Sequence, residues 1–220
     1  MTAPAVIAID GAAGSGKSTL GEGLATALRL PYVNTGLMYR HLTLVALQTG
    51  IPTDDGASLV SLLSEIRFSL SADAPARLLI QGLPPARELQ SPEVEAEVSH
   101  VARHPEVRAI MRAAQRALGE LHGAVMDGRD IGSVVFPDAP LKLYLAADPG
   151  ARAARRAYER TATQAEVETS LHARDQKDAR VNPLESPLGS AVIDTASLGV
   201  RETLQAALDL VRVHAPELLP

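Results

Sequence analysis

Ala5-Val6-Ile7-Ala8-Ile9 leads through Asp10 into Gly11-Ala12-Ala13-Gly14-Ser15-Gly16-Lys17-Ser18. The five apolar residues show no alternation, which suits a strand buried on both faces. The eight residues after Asp10 meet the pattern G-x-x-x-x-G-K-[ST] at every fixed position. Glycines there let the backbone wrap close to phosphate oxygens, so that successive N–H groups point inward as an anion nest. Beyond the nest, Leu20, Leu24 and Leu28 stand four apart, which predicts a helix over 17–30 whose positive dipole end faces the same anion. Lys17 is placed to reach β- and γ-phosphates, and the Ser18 hydroxyl to hold Mg²⁺.

Outward from this unit the same alternation continues. Short apolar runs at 31–33, 124–126, 141–146 and 191–193 read as further strands. Helices are expected over 39–49, from about Ser91, from Pro105 to about Leu118, and from Val200, where Leu204, Leu208 and Val211 share a face. Strands alternating with helices imply an α/β fold, a five-stranded parallel sheet flanked by helices. Residues 66–70 and 78–81 look like two short strands around Asp73-Ala74-Pro75, a small unit inserted at about 66–85.

Bulk composition sets the outer bounds. The chain has 220 residues with 46% hydrophobic and 21% charged, enough for a sizeable core in a single domain over 1–220. Aromatics are only 3%, so that core must be aliphatic. A net charge of −5 argues against a chain-wide footprint for nucleic acid. The absence of cysteine excludes disulfides, thiolate metal sites and a cysteine nucleophile. No window reaches the roughly 18 uninterrupted apolar residues of a spanning helix, and the first ten residues lack a basic n-region. A cytoplasmic protein without membrane or nucleic-acid partners is the expectation.

The anion nest alone does not name a reaction, because switches, motors, synthetases and kinases share it. No Asn-Lys-x-Asp segment is present to read guanine, and no apolar run ends in an Asp-Glu pair. Asp127, closing the run at 124–126, is the candidate carboxylate on the magnesium side, acting through water. A kinase for a phosphorylated acceptor must bring two polyanions together, and arginine best cancels their repulsion with its planar, always-charged fork. Arginines do stand beyond the strand ends: Arg40, Arg129, and the group Arg152, Arg155 and Arg156, with Arg174 and Arg180 before the last strand.

At this point the sequence resembles the bacterial cytidylate kinases, within the nucleoside monophosphate kinases. The resemblance runs through Ile9-Asp10-Gly11 to Thr19, Asn34-Thr35-Gly36-Leu37-Met38-Tyr39-Arg40, Ser91 to Ala102, His104 to Arg108, Gln115-Arg116, Asp127 to Gly132, Val135 to Ala139, Arg174-Asp175-x-x-Asp178 and Val192 to Thr195. It implies transfer of the γ-phosphoryl group of ATP to CMP or dCMP with Mg²⁺, by a monomer. The region 35–100 would bind the acceptor, and 150–175 would be a lid. ATP would lie against Gly11, Ala12, Ala13, Gly14, Ser15, Gly16, Lys17, Ser18 and Thr19, with Arg152, Arg155 and Arg156 above it. Ser99, Arg108 and Asp130 would read the cytosine edge, beside Thr35 and Tyr39, and Asp178 would hold the ribose. Lys17, Arg40, Arg129, Arg174 and Arg180 would clamp the phosphates during transfer.

Three positions differ from the family's usual pattern: Asn34 stands for Asp, Leu37 for Ala, and Arg180 follows Asp178 by two positions rather than three. On a helix that last change turns the side chain by about 100°. Taken without the resemblance, Arg108, Arg112 and Arg116 equally describe a charged helix face, and Ser99 a solvent-facing serine. Asp178 beside Lys177 and Arg174 equally describes a surface ion pair. The competing functions are a kinase of the same nest for another monophosphate or a sugar, and a nucleotide-binding regulator without transfer activity.

Overall fold

A computed structural model describes residues 6–160, 163–179 and 186–220. Strand β1 (Val6–Gly11) is buried along its whole length. Its side chains divide by the period of two: Val6 and Ala8 join one core and Ile7 and Ile9 the other. Four strands complete a parallel sheet: β2 (Tyr32–Asn34), β5 (Ala124–Gly128), β6 (Leu141–Ala146) and β7 (Ala191–Asp194), in the order β2-β5-β1-β6-β7. The chain thus starts at the centre and fills both sides, which opens a crevice at the carboxyl end of β1.

On one face, α1 (Lys17–Leu28) and α8 (Val200–His214) bury Leu20, Leu24, Leu28, Ala207 and Val211 against Ile7, Ile9, Leu143 and Ile193. On the other lie α2 (Thr35–Thr49), α3 (Gly56–Ser64), α4 (Pro92–Ala102) and α5 (Pro105–His122). Their core residues include Met38, Leu42, Leu59, Val101 and Met111. The antiparallel pair β3 (Phe68–Leu70) and β4 (Leu78–Ile80) lies within this second group. The Tyr32 N–H donates to Ala76 O at 2.9 Å, so the loop joining the pair is tied to the edge strand β2. Helices α6 (Pro149–Arg160) and α7 (Gln164–Ala179) pack Ala153, Val167 and Leu171 against Ala13. Among the described residues no helix is long and apolar enough to cross a membrane.

The expected sheet is present, while several element boundaries move. Helix α1 stops at Leu28 rather than residue 30, because Arg29 turns left-handed at φ 56° and Pro31 follows. Helix α2 begins at Thr35, not Tyr39, and α5 continues to His122, where Gly123 supplies φ 71°. Sequence periodicity gave no element at 56–64, yet α3 forms there. The Asp55 carboxylate accepts from Ser58 N at 3.1 Å, and only Leu59 and Leu63 are buried.

Candidate active site

Gly11 and Gly16 shape the crevice. At Gly11, with φ 150°, a Cβ would lie 2.6 Å from Leu145 O on the neighbouring strand. Gly16 takes φ 91° as it enters α1, a left-handed turn that an L side chain rarely adopts. Lys17 at the first helical position donates from Nζ to Ala12 O at 2.6 Å, curling over the loop. Behind the loop Arg152 donates to Ala13 O at 3.1 Å and pairs with Asp175 at 2.7 Å. From the other side Arg155 donates to Thr195 Oγ1 at 3.0 Å and to the Thr195 carbonyl, while Thr195 Oγ1 donates to Ser15 O at 3.2 Å.

Next to the first turn of α1 sits a polar group of four side chains. Ser18 Oγ donates to Asp127 Oδ2 at 3.0 Å, the Tyr32 hydroxyl donates to Asp127 Oδ1 at 3.2 Å, and Asn34 Nδ2 donates to Ser18 Oγ at 3.0 Å. Burial pushes the Asp127 carboxyl up to about 6, against the Lys17 charge and the hydroxyls of Ser18 and Tyr32, which pull it down. Burial also raises the Tyr32 phenol, so it stays a donor. Thr35 Oγ1 donates to Asp127 O at 2.8 Å and fixes the start of α2 to β5. A hydroxyl beside a carboxylate is a set of hard oxygen donors, and this set fits Mg²⁺.

Beyond Asp127 the chain turns sharply through Gly128-Arg129-Asp130 into a π-helical turn at Ile131–Val135. Asp10 at the end of β1 holds that turn: its carboxylate accepts from Ile131 N at 2.8 Å and Gly132 N at 2.7 Å. Arg129 then pairs with Asp178 of α7 at 2.6 Å, and Ser99 of α4 donates to the other Asp178 oxygen at 2.8 Å. Arg108 and Arg112 of α5 both bond Asp130 Oδ2, at 2.9 and 2.8 Å. Arg40 of α2 donates to Leu89 O at 2.9 Å and lies 3.6 Å from Glu95.

One cavity of about 700 Å³ runs from Ala13–Leu20 past Asn34–Leu37 to Arg40, Ser99, Arg108 and Asp127–Asp130. The sequence profile of the cytidylate kinase family matches residues 7–213. The chain belongs to that family. It is 41% identical over 213 residues to the cytidylate kinase of Geobacillus sp. (strain WCH70), covering 93% of this chain and 95% of that one. It is 40% identical over 218 residues to a bifunctional pantoate ligase/cytidylate kinase of Synechococcus sp. (strain JA-2-3B'a(2-13)), covering 94% of this chain. The chain spans only 40% of that bifunctional protein's length. A solved gluconokinase from Sinorhizobium meliloti 1021 shares the fold, with a TM-score of 0.55 over 97% of this chain and 95% of that one, at 18% identity.

Within this member of the cytidylate kinase family, most of the expected site residues meet at the cavity. Ser15, Lys17, Ser18, Thr19, Thr35, Tyr39, Arg40, Ser99, Arg108, Arg129, Asp130, Arg155 and Asp178 all line it. Gly11, Ala12 and Arg152 do not; they shape the loop from behind. Arg180 and the side chains of Arg156 and Arg174 lie outside the described residues. Sequence reasoning missed the far end of the cavity, formed by Thr195, Leu198, Gly199, Val200 and Thr203. Only the resemblance at Val192 to Thr195 pointed toward it. Reasoning from motifs also missed Asp10 as an anchor and Tyr32 as the partner of Asp127, since neither stands in a recognisable spacing.

Proposed function

We propose that the protein transfers the γ-phosphoryl group of ATP to CMP or dCMP, giving ADP and CDP or dCDP. The observation that carries this is one cavity of about 700 Å³ joining the anion nest to a ring of arginine and acidic side chains. An oxygen of the acceptor phosphate attacks the γ-phosphorus in line while the bond to the β-phosphate oxygen breaks, and that oxygen leaves with the electron pair as ADP. No covalent enzyme intermediate is required, so positioning and charge neutralisation carry the rate.

The backbone N–H groups of 11–16 hold the β- and γ-phosphates, and Lys17 moves from Ala12 O onto the transferred group. Ser18 would hold Mg²⁺ directly and Asp127 through water, and an ion held there would supply neutralisation of phosphate charge. Arg40 and Arg129 take the acceptor phosphate, and Arg174 and Arg180 are proposed for the same phosphates. Arg155, now on Thr195 at the edge of the nest, swings to the ATP phosphates as residues 150–175 close and exclude water. The region 35–100 binds the acceptor. Asp178 holds the ribose, while Ser99, Arg108 and Asp130 read the cytosine edge. The end near Leu198 and Thr203 takes the adenine. A cytoplasmic monomer is the form we propose for this activity.

A coupled assay with CMP, dCMP, UMP, AMP and GMP, reading ADP and the nucleoside diphosphate together, tests this reading. CMP or dCMP should be preferred at least about tenfold over UMP, in line with discrimination by buried hydrogen-bonding groups. Equal use of all monophosphates would leave a kinase of undetermined acceptor. ATP binding with no diphosphate formed would mean a regulator.

A further inference from the structure

We propose that Arg112 is a positioning residue for base selection: it pins the Asp130 carboxylate from outside the cavity, so that Arg108 can engage the pyrimidine without releasing it. The proposal rests on the reading of Asp130 and Arg108 as base-contacting residues. Nothing in the chain's motifs marked Arg112, which looked like one turn of a charged helix face.

Three observations carry it. Both arginines bond the same oxygen, Asp130 Oδ2, at 2.9 Å from Arg108 and 2.8 Å from Arg112. Asp130 Oδ1 takes no hydrogen bond from any described residue, and Asp130 lines the cavity. Arg108 and Asp130 are both cavity residues, whereas Arg112 is not, so Arg112 reaches the site only through the carboxylate. Its side chain is 30% exposed, against 9% for Arg108.

The physical consequence follows from sharing. If Arg108 were the sole partner of Oδ2, each hydrogen bond it made to the base would loosen its hold on Asp130. The carboxylate would then be free to turn about its Cβ–Cγ bond. A second guanidinium on the same oxygen, set one helical turn further along α5, removes that competition. Oδ1 stays directed by the fixed Oδ2, as an acceptor suited to the cytosine amino group and unsuited to the uracil carbonyl. Preorganisation of this kind acts on ground-state binding and discrimination more than on the transfer step.

The test compares Arg112→Met, which keeps the apolar stem, with Arg112→Lys, which keeps a cation, and with Asp130→Asn. Arg112→Met should raise KM for CMP about five- to tenfold with kcat within about twofold, and reduce the CMP-over-UMP preference by a similar factor. Arg112→Lys should recover most of both. In Asp130→Asn the further change to Met should have little effect, because the group it positions is gone. Loss of preference in Asp130→Asn with none in Arg112→Met overturns the positioning role alone. An unchanged preference in Asp130→Asn overturns the base-reading assignment on which it rests. Equal loss in Met and Lys variants, without a KM-against-kcat split, assigns Arg112 to packing and also overturns the proposal.

Discussion

The donor nest takes its form from eight consecutive residues and their backbone, whereas the acceptor side is assembled from side chains on α2, α4, α5, α7 and the turn after β5. In the nest, the groups proposed to meet phosphate are N–H dipoles fixed by glycine geometry and by the start of α1. On the acceptor side the cations are held by acids: Arg129 by Asp178, Arg108 and Arg112 by Asp130, and Arg40 near Glu95. Two of those acids are themselves proposed to touch the acceptor. A change in the nest should therefore act locally, while a change on the acceptor side should spread through its ion pairs.

The largest effect tests the first half of that contrast. Lys17→Ala should lower kcat by about 10³-fold or more, since the cation proposed for the transferred group is lost. CMP affinity, followed by calorimetry without ATP, should stay within about threefold, because Lys17 donates to Ala12 O within its own loop. A matching loss of CMP affinity would break the separation between the two regions.

Arg129 tests the second half. Arg129→Ala should reduce kcat by roughly 10²- to 10³-fold with ATP affinity changed less than about threefold. It also removes the cation beside Asp178, so ribose contact should suffer and KM for CMP should rise as well. Arg129→Lys guards against misfolding, as it preserves a charge near Asp178 while losing the fork geometry. Steady-state kinetics in both substrates reads the split. Equal loss of turnover and ATP affinity would place Arg129 with the donor instead.

The same contrast explains what could be read from the chain. The form of the nest was legible because it depends on local backbone conformation, and glycine spacing encodes that directly. The sheet was legible because β1, buried on both faces, leaves an unbroken apolar run. Positions of single arginines were legible only as a pattern at strand ends, together with a family likeness. Their partners were not. The pairing of Arg112 with Asp130 spans 18 positions, and Tyr32 meets Asp127 across 95. No local periodicity encodes such contacts; they arise from the order of strands. Helix α3 escaped notice for a related reason, because two buried leucines in nine residues give little periodic signal.

Asp127 lies where the two regions meet, and its burial sets a cost that a mutation can reveal. Its folded value of about 6 stands above the ordinary 3.8, so the folded chain holds this proton more firmly than the unfolded one. Metal-free stability should fall as pH rises from about 4 to 6, and the loss is fully present above that window. Asp127→Asn should flatten this part of the curve and raise Tm at pH 7.5 by about 2–5 °C in chelator, while lowering turnover by about 10²-fold or more. Thermal unfolding against pH, with and without chelator, provides the comparison. A variant that is less stable at pH 7.5 would show that the carboxylate's hydrogen bonds outweigh its burial.

The smallest expected effect concerns Asn34. Its amide donates to Ser18 Oγ at 3.0 Å, and Ser18 in turn donates to Asp127 Oδ2 at 3.0 Å, so the chain of donors ends on a single negative charge. An Asp at this position, as the family usually has, can only accept while ionised. Ser18 has one proton to give, so one carboxylate must go without it, and two like charges face each other across the hydroxyl. That arrangement is unfavourable without a cation and favourable with one. Asn34→Asp should therefore reduce the Mg²⁺ needed for half-maximal rate by about two- to threefold, since added ligand charge tightens such sites, and should lower Tm slightly in chelator but not in excess Mg²⁺. Rates titrated with Mg²⁺ at fixed ATP, beside melting curves in both buffers, measure the two together. Unchanged Mg²⁺ demand with an unchanged melt would separate Ser18 from the metal.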